Sequence, residues 1–327
     1  MTDKECRIAI DSPLWDQSTF IGRFKHFAYA TDPRTVFVSE RQLLNAKTLC
    51  ESYKLRQEPA NTTRCNIIYA KKLYSSAFHP DTGELQNVIG RMSFQVPGGV
   101  FICGGMIQFY RTIPAVLFWQ FVNQSFNAIV NYTNRNAKNP ISATQLSLSY
   151  VSATTSALIA AIFSKRYLEK NATPFMQRYV PLAAVIAANF VNIPLMRQTE
   201  ITLGVDVVDE NGNPIGKSRA AAVKGISQVI VSRIFIPLPP MIVLPLIMNK
   251  LEPQLWFKQR SYLNAPIQML ILAAFLLITV PVGCALFPQR CSIDMDTIKR
   301  YDKEFYEDME KEHGEQLPNK VYFNKGL

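Results

Sequence analysis

The sequence predicts an all-α fold: a polytopic membrane helix bundle of about five transmembrane helices, some broken by proline, with helical N- and C-terminal extensions. Three observations predict it. The chain has 327 residues, of which 48% are hydrophobic and 18% charged. The charge is unevenly placed: no Asp or Glu lies between Glu84 and Glu169, whereas Lys299–Glu315 carries eleven charged residues. Uncharged runs cover Met92–Tyr110, Thr112–Asn134, Asn139–Ser164, Tyr179–Met196, Ile234–Asn249 and Ser261–Gln289. A hydrocarbon core about 30 Å thick is crossed by roughly 20 mostly apolar helical residues, because only a helix or a closed barrel satisfies its own backbone there.

Taken in order, residues 1–96 form a polar helical region, 97–289 the transmembrane bundle and 290–327 an amphipathic helix and tail. In the first part, Ser39-Glu40-Arg41-Gln42 has capping-box spacing and opens a helix with Leu43, Ala46, Cys50 and Tyr53 on one face. A second helix runs from Arg64 to Phe78 and stops at His79-Pro80-Asp81-Thr82-Gly83, since a residue before proline avoids helical geometry and glycine accepts a turn. The spans are expected at Gly98–Phe118, Leu146–Ser164, Tyr179–Met196, Ile226–Met248 and Ala265–Phe287. Pro114, Pro181 and Pro194 are expected to interrupt helices, and Pro237, Pro239, Pro240 and Pro245 to break the fourth span. Between the third and fourth, Leu203–Val208 and Asp209-Glu210-Asn211-Gly212 read as a hairpin with a type I′ turn at Asn-Gly. In the tail, Ile298, Tyr301, Phe305 and Met309 make one apolar stripe, suited to a membrane surface, a partner or the protein's own bundle.

Orientation follows from Lys and Arg near the spans. The short loops after the second and fourth spans hold Lys165, Arg166, Lys170, Arg178, Lys250, Lys258 and Arg260, against Arg135 and Lys138 after the first. With five spans, this places the N-terminus on the synthesis side and the C-terminus across the membrane. Residues 1–20 contain Asp3, Glu5, Asp11 and Asp16 and no apolar block, so no removable targeting segment is expected. The cysteines at 6, 50, 65, 103, 284 and 291 form no CxxC pair and read as reduced thiols.

Catalytic signatures are missing: there is no G-x-S-x-G, P-loop, Rossmann glycine pattern or H-E-x-x-H, and histidine occurs only at 26, 79 and 313. No catalytic residue, cofactor or metal site is expected. His79 reads as a turn former. The polar residues of the expected spans point to transport, because helices broken at membrane depth are tolerated where protein or a water-filled cavity satisfies the freed carbonyls. Gln120, Asn123, Gln124 and Asn127 add uncharged donors and acceptors, and Arg111 and Arg233 interrupt otherwise uncharged segments, where a guanidinium marks a pathway or a partner.

Several stretches resemble the sideroflexins. They include Trp15-Asp16-Gln17-Ser18-Thr19-Phe20, Thr31-Asp32-Pro33-Arg34, Ala77-Phe78-His79-Pro80-Asp81-Thr82-Gly83-Glu84, Phe109-Tyr110-Arg111-Thr112, Asn123-Gln124-Ser125-Phe126-Asn127, Asn192-Ile193-Pro194-Leu195-Met196-Arg197-Gln198 and Val321-Tyr322-Phe323-Asn324-Lys325-Gly326-Leu327. Arg34–Glu40 and Met92–Gly99 look most like the sideroflexin-2 subgroup. The resemblance implies a five-span, multi-pass protein of the mitochondrial inner membrane, without a cleaved presequence, that carries serine for one-carbon metabolism. Alanine and cysteine are further cargo it implies, with an indirect link to iron and haem balance, inner-membrane lipids as surroundings and no nucleic-acid partner. The competing reading is a non-transporting inner-membrane assembly or scaffold factor.

The resemblance supplies no binding residues, so the expected site comes from chemistry. Serine is a zwitterion with a hydroxyl, and its site needs a carboxylate partner, ammonium acceptors and a donor–acceptor pair. Arg111 or the N-terminus of a broken helix meets the first need and carbonyls freed near Pro194 the second. Asn189 and Asn192, with Ser152, Thr154 and Thr155 from the second span, supply the rest, and Arg233 is a further charged candidate. No Asp or Glu lies in any expected span, so neither a proton relay through membrane carboxylates nor the usual first shell of a bare iron ion is present there.

Overall fold

A computed structural model describes residues 7–79, 82–134, 142–171, 173–313 and 318–326. Asp81, Arg135, Lys138 and Cys6, to which the sequence assigns roles, lie outside these described residues. The N-terminal part is three helices, α1 (Phe20–Ala30), α2 (Glu40–Lys54) and α3 (Arg64–Ala77). Each begins where a hydroxyl caps it: Thr19, Ser39 and Thr63 accept from the backbone N–H of Gly22, Gln42 and Asn66, and the Ser39–Gln42 capping box is complete. Leu43, Ala46 and Cys50 of α2 bury against Ala70, Leu73 and Ala77 of α3. After α3, His79 donates its N–H to Glu84 O and accepts from Thr82 N–H at Nδ1, the turn role expected of it.

Asp32 caps the short 3-10 turn Pro33–Phe37, accepting from Arg34 N–H at 3.0 Å, and also pairs with the Arg34 side chain and with Lys72 of α3. Hydrogen bonds from Arg34, then from Lys72, hold its carboxyl well below the ordinary carboxylate range.

The bundle contains α4 (Gln95–Gln108), α5 (Ile113–Thr133), α6 (Ala143–Asn171), α7 (Val180–Met196), the short α8 (Gln198–Leu203), α9 (Arg219–Phe235), α10 (Leu238–Leu251), the short α11 (Leu255–Lys258) and α12 (Asn264–Ala285). Among the described residues, four helical stretches are long and apolar enough to cross a bilayer: Thr144–Leu168, Met176–Met196, Arg219–Leu251 and Asn264–Ala285. They coincide with the second to fifth expected spans. The first, Gly98–Phe118, is not one helix. The chain turns at Phe109–Thr112, and α5 runs back along α4, with Gly105 against Trp119 and Gly98 against Phe126. Proline explains the difference: Pro114 sits in the first turn of α5, where a missing N–H costs nothing, so it starts a helix rather than interrupting one. Pro181 does the same for α7. Pro194 lies inside α7 without ending it, whereas α9 and α10 part at Ile236-Pro237 as the proline cluster requires.

A core of Ile102, Met106, Met241, Leu244, Leu272 and Leu276 joins α4, α10 and α12. The outer face exposes Phe101, Phe118, Phe163, Phe190, Leu246, Leu270 and Ile278. So large an apolar exterior is unfavourable in water and suits lipid.

Two ends of the bundle differ. At one, Arg111, Lys165, Arg178, Glu252 and Asn264 meet around the α4–α5 turn. At the other lie the C-terminal end of α12, against which α1 packs through Arg23 Nε to Ala285 O at 2.9 Å, and a four-stranded sheet. The described N- and C-terminal parts therefore share one end, which corrects the expectation that five spans separate them. The α4–α5 hairpin adds a leg and changes the parity.

The sheet has β1 (Val205–Val208), β2 (Pro214–Ser218), β3 (Arg290–Asp294) and β4 (Lys320–Asn324) in the order β2-β1-β4-β3, every neighbour antiparallel. The hairpin forms as expected but its turn is not type I′, which needs positive φ at both central residues. Only Gly212 has it (φ 92), and Gly212 N–H bonds Asp209 O while Asn213 N–H bonds Asp209 Oδ1. The tail is two helices, α13 (Met295–Tyr301) and α14 (Lys303–His313), parted at Asp302, whose carboxylate accepts from Ser218 Oγ at 2.8 Å and Arg219 N–H at 2.7 Å. Ile298 and Phe305 pack on the sheet and Met309 is buried, but Tyr301 is 71% exposed. The expected stripe thus serves the protein's own sheet, the third of its three readings.

Candidate functional site

The α4–α5 turn carries Tyr110 and Arg111 to the end of the bundle where α6 and α10 finish and α7 and α12 begin. Lys165, at the end of α6, donates to Arg111 O at 2.7 Å and pins the turn from below. Two adjoining cavities of 310 and 330 Å³ share Tyr110, Arg111 and Arg178 as lining. Arg178 pairs with Glu252 at 2.6 Å, joining the start of α7 to the end of α10, while the Arg111 side chain is exposed. Three cations around one carboxylate make this mouth attractive to anionic groups, and a low-dielectric wall strengthens that field.

Deeper in, α5, α6 and α7 pack through small side chains. Val116, Ala161 and Ala184 meet at one level. Further along, Ser125 and Tyr150 hydroxyls bond at 2.9 Å, and Gln145 Nε2 reaches Met196 O at 3.3 Å, so α6 runs antiparallel to both neighbours. One turn beyond Val116, Gln120 is level with Ala157 and Ala188, and a further turn on, Gln124 is level with Ala153 and Asn192. All six are buried, and the two glutamines are only 1% and 2% exposed. Gln120 Nε2 contacts Met106 Sδ at 3.5 Å, but Gln120 Oε1 and Gln124 Nε2 have no hydrogen-bond partner among the described residues, and Thr154 Oγ1 shares that state. Buried polar atoms are nearly always paired, so three such atoms in one layer of the bundle are informative.

The residues expected to form one site are spread along this axis. Arg111 lies at the mouth. Asn192 is buried at the amide level, roughly 20 Å away along α7 at about 1.5 Å per residue. Asn189 Nδ2 bonds Val185 O of its own helix at 3.0 Å, Ser152 O accepts from Ser156 Oγ at 2.8 Å, and Thr155 is exposed. Arg233 bonds Asn131 Oδ1 at 3.0 Å near the sheet end, tying α9 to α5, and Pro194 lies between that end and the amides. One small molecule does not reach from Arg111 to Asn192. The structure brings Asn192 and Thr154 to the depth of Gln120 and Gln124 and separates Arg111 and Arg233 from them. The glutamines were visible in the sequence as polar residues, and the Val116-Gln120-Gln124 spacing of four places them on one helical face, whose burial comes from tertiary packing.

A proline-broken helical bundle with a lipid-facing exterior, a cationic mouth and, among the described residues, buried amide atoms without partners in its interior defines a polytopic membrane protein. The chain belongs to the sideroflexin family, whose model, described as Sideroflexins, matches residues 9–327. It is 56% identical to Sideroflexin-2 of Drosophila melanogaster over all of both chains, and 54% identical to Sideroflexin-2 of Homo sapiens over 97% of each. Sideroflexin-1 of Rattus norvegicus is 47% identical over 98% of each. No solved structure matches the chain.

Proposed function

We propose that this protein is a mitochondrial inner-membrane carrier of small neutral amino acids, with serine as its main cargo, and that it supplies one-carbon metabolism. The observation that supports it is the pair of adjoining cavities around Arg111, open at the end of a bundle whose interior layer holds uncharged polar groups. Arg111 draws the substrate carboxylate into the mouth as a fixed charge. Any link to iron or haem balance follows indirectly from amino-acid supply. The basic loops at the mouth, with Lys165, Arg166, Lys170, Lys250, Lys258 and Arg260, turn that end to the matrix under the positive-inside rule. The N- and C-terminal parts then face the intermembrane space. Uptake of labelled serine into liposomes containing only the purified protein tests the function. Serine accumulation above that of empty liposomes is expected; uptake no faster than in empty liposomes leaves an assembly or scaffold role.

A further inference from the structure

We propose that Gln120 and Gln124 of α5 form the occluded binding site for a zwitterionic amino acid, Gln120 Oε1 accepting from its ammonium and Gln124 Nε2 donating to its carboxylate. The inference rests on the transport reading above and gives it a location. Two amides four residues apart on one helix have their Cβ atoms about 5–6 Å apart, one acceptor and one donor facing the same interior. Both side chains are more than nine-tenths buried, and their free atoms have no partner among the described residues. Counted in helical turns from the Val116–Ala161–Ala184 contact, the buried Ala153, Ala157 and Ala188 of α6 and α7 fall at the same depth, each carrying no more than a methyl group. Asn192 and Thr154 border the same layer with further uncharged polarity. From Arg111 the layer is roughly 13 Å along α5, at about 1.5 Å per residue.

This chemistry selects by charge. An amide offers half a dipole to each end of a zwitterion but neutralises no net charge, so a substrate with a third ionised group would arrive uncompensated in a low-dielectric layer. Serine, alanine and cysteine fit; glutamate and lysine do not.

Gln120→Met and Gln124→Met keep length and flexibility and delete the amide. A hydrogen bond to a charged group lost in the bound state should lower serine uptake about ten- to a hundredfold per variant. Thermal stability of the empty protein should stay the same or rise, because replacing a partnerless buried amide by a thioether removes a desolvation cost. Saturating serine should raise the melting temperature of the wild type but not of the double variant, and saturating glutamate or lysine should raise neither. Wild-type uptake in the variants, or a fall in melting temperature that accompanies the loss of uptake, would overturn the site by making the amides structural. Wild-type protein that moves no neutral amino acid removes the transport reading and the site with it, whereas an active wild type with equally active variants removes the site alone.

Discussion

Arg111 is exposed where two cavities join, and its backbone carbonyl is held by Lys165. That separates the role of its charge from the role of its backbone: a side-chain substitution leaves the turn pinned. For serine presented on the mouth side, Arg111→Gln is expected to raise the concentration for half-maximal uptake several-fold, with the maximal rate changed less, because a charge at that mouth acts on capture from that side. Arg111→Lys should be intermediate, since it keeps the charge but loses the planar fork. Uptake titrations normalised to inserted protein decide this, and identical curves for Gln and wild type make Arg111 an interface residue. At Asp32 the sign of a pH effect is fixed. Its carboxyl titrates lower folded than unfolded, so its stabilisation is complete above the unfolded value near 4 and is lost as pH falls through the folded one. Asp32→Asn should destabilise the N-terminal helices at pH 7 by about 1–3 kcal/mol, leaving Lys72 without its anion, and the difference from wild type should shrink below about pH 3. Thermal unfolding in detergent across pH measures both.

Among the elements, the α4–α5 hairpin shows how close packing replaces the hydrophobic effect, which gives helices in lipid no reason to associate. A Cβ placed on Gly105 would meet the Trp119 ring at 2.3 Å, and one on Gly98 the Phe126 ring at 2.8 Å. Gly105→Ala therefore pushes two helices apart and is expected to cost about 1–3 kcal/mol, read as a lower melting temperature. This hairpin also marks the limit of what the sequence discloses. Uncharged length identified four spans, Ser-x-x-Gln spacing the capping box and clustered proline the break of α9–α10, because those signals are local. The reversal at Phe109–Thr112 was hidden, since Gly98–Phe118 carries no charge apart from Arg111 and tertiary contact with Trp119 and Phe126 is what distinguishes a fold-back from a crossing. The scatter of Arg111, Asn192 and Arg233 along the bundle was hidden for the same reason: helix polarity sets depth, and one misread leg shifts every later level. Gln120 and Gln124 were legible as polar but not as buried, because burial depends on the small faces of α6 and α7.

For the whole molecule, parity is the testable property. Arg23 on Ala285 and the shared end of the described termini require an even number of legs, so tags at the two termini should respond alike. In mitoplasts with an intact inner membrane, protease is expected to remove both, while a tag between Phe257 and Ser261 is protected. Removal of one terminal tag only would contradict the arrangement. The sheet adds a dependence on timing. The β1–β2 half precedes α9 and the β3–β4 half follows α12, so the β1–β4 pairing that joins them forms only once both intervening membrane passages are made. Through Ser218 Oγ and Arg219 N–H, Asp302 closes the same circuit at the start of α9. Joining the two halves thus acts as a check on insertion: a chain whose α9–α10 or α12 has stalled presents the bare edges of β1 and β4 to whatever surveys unfinished proteins.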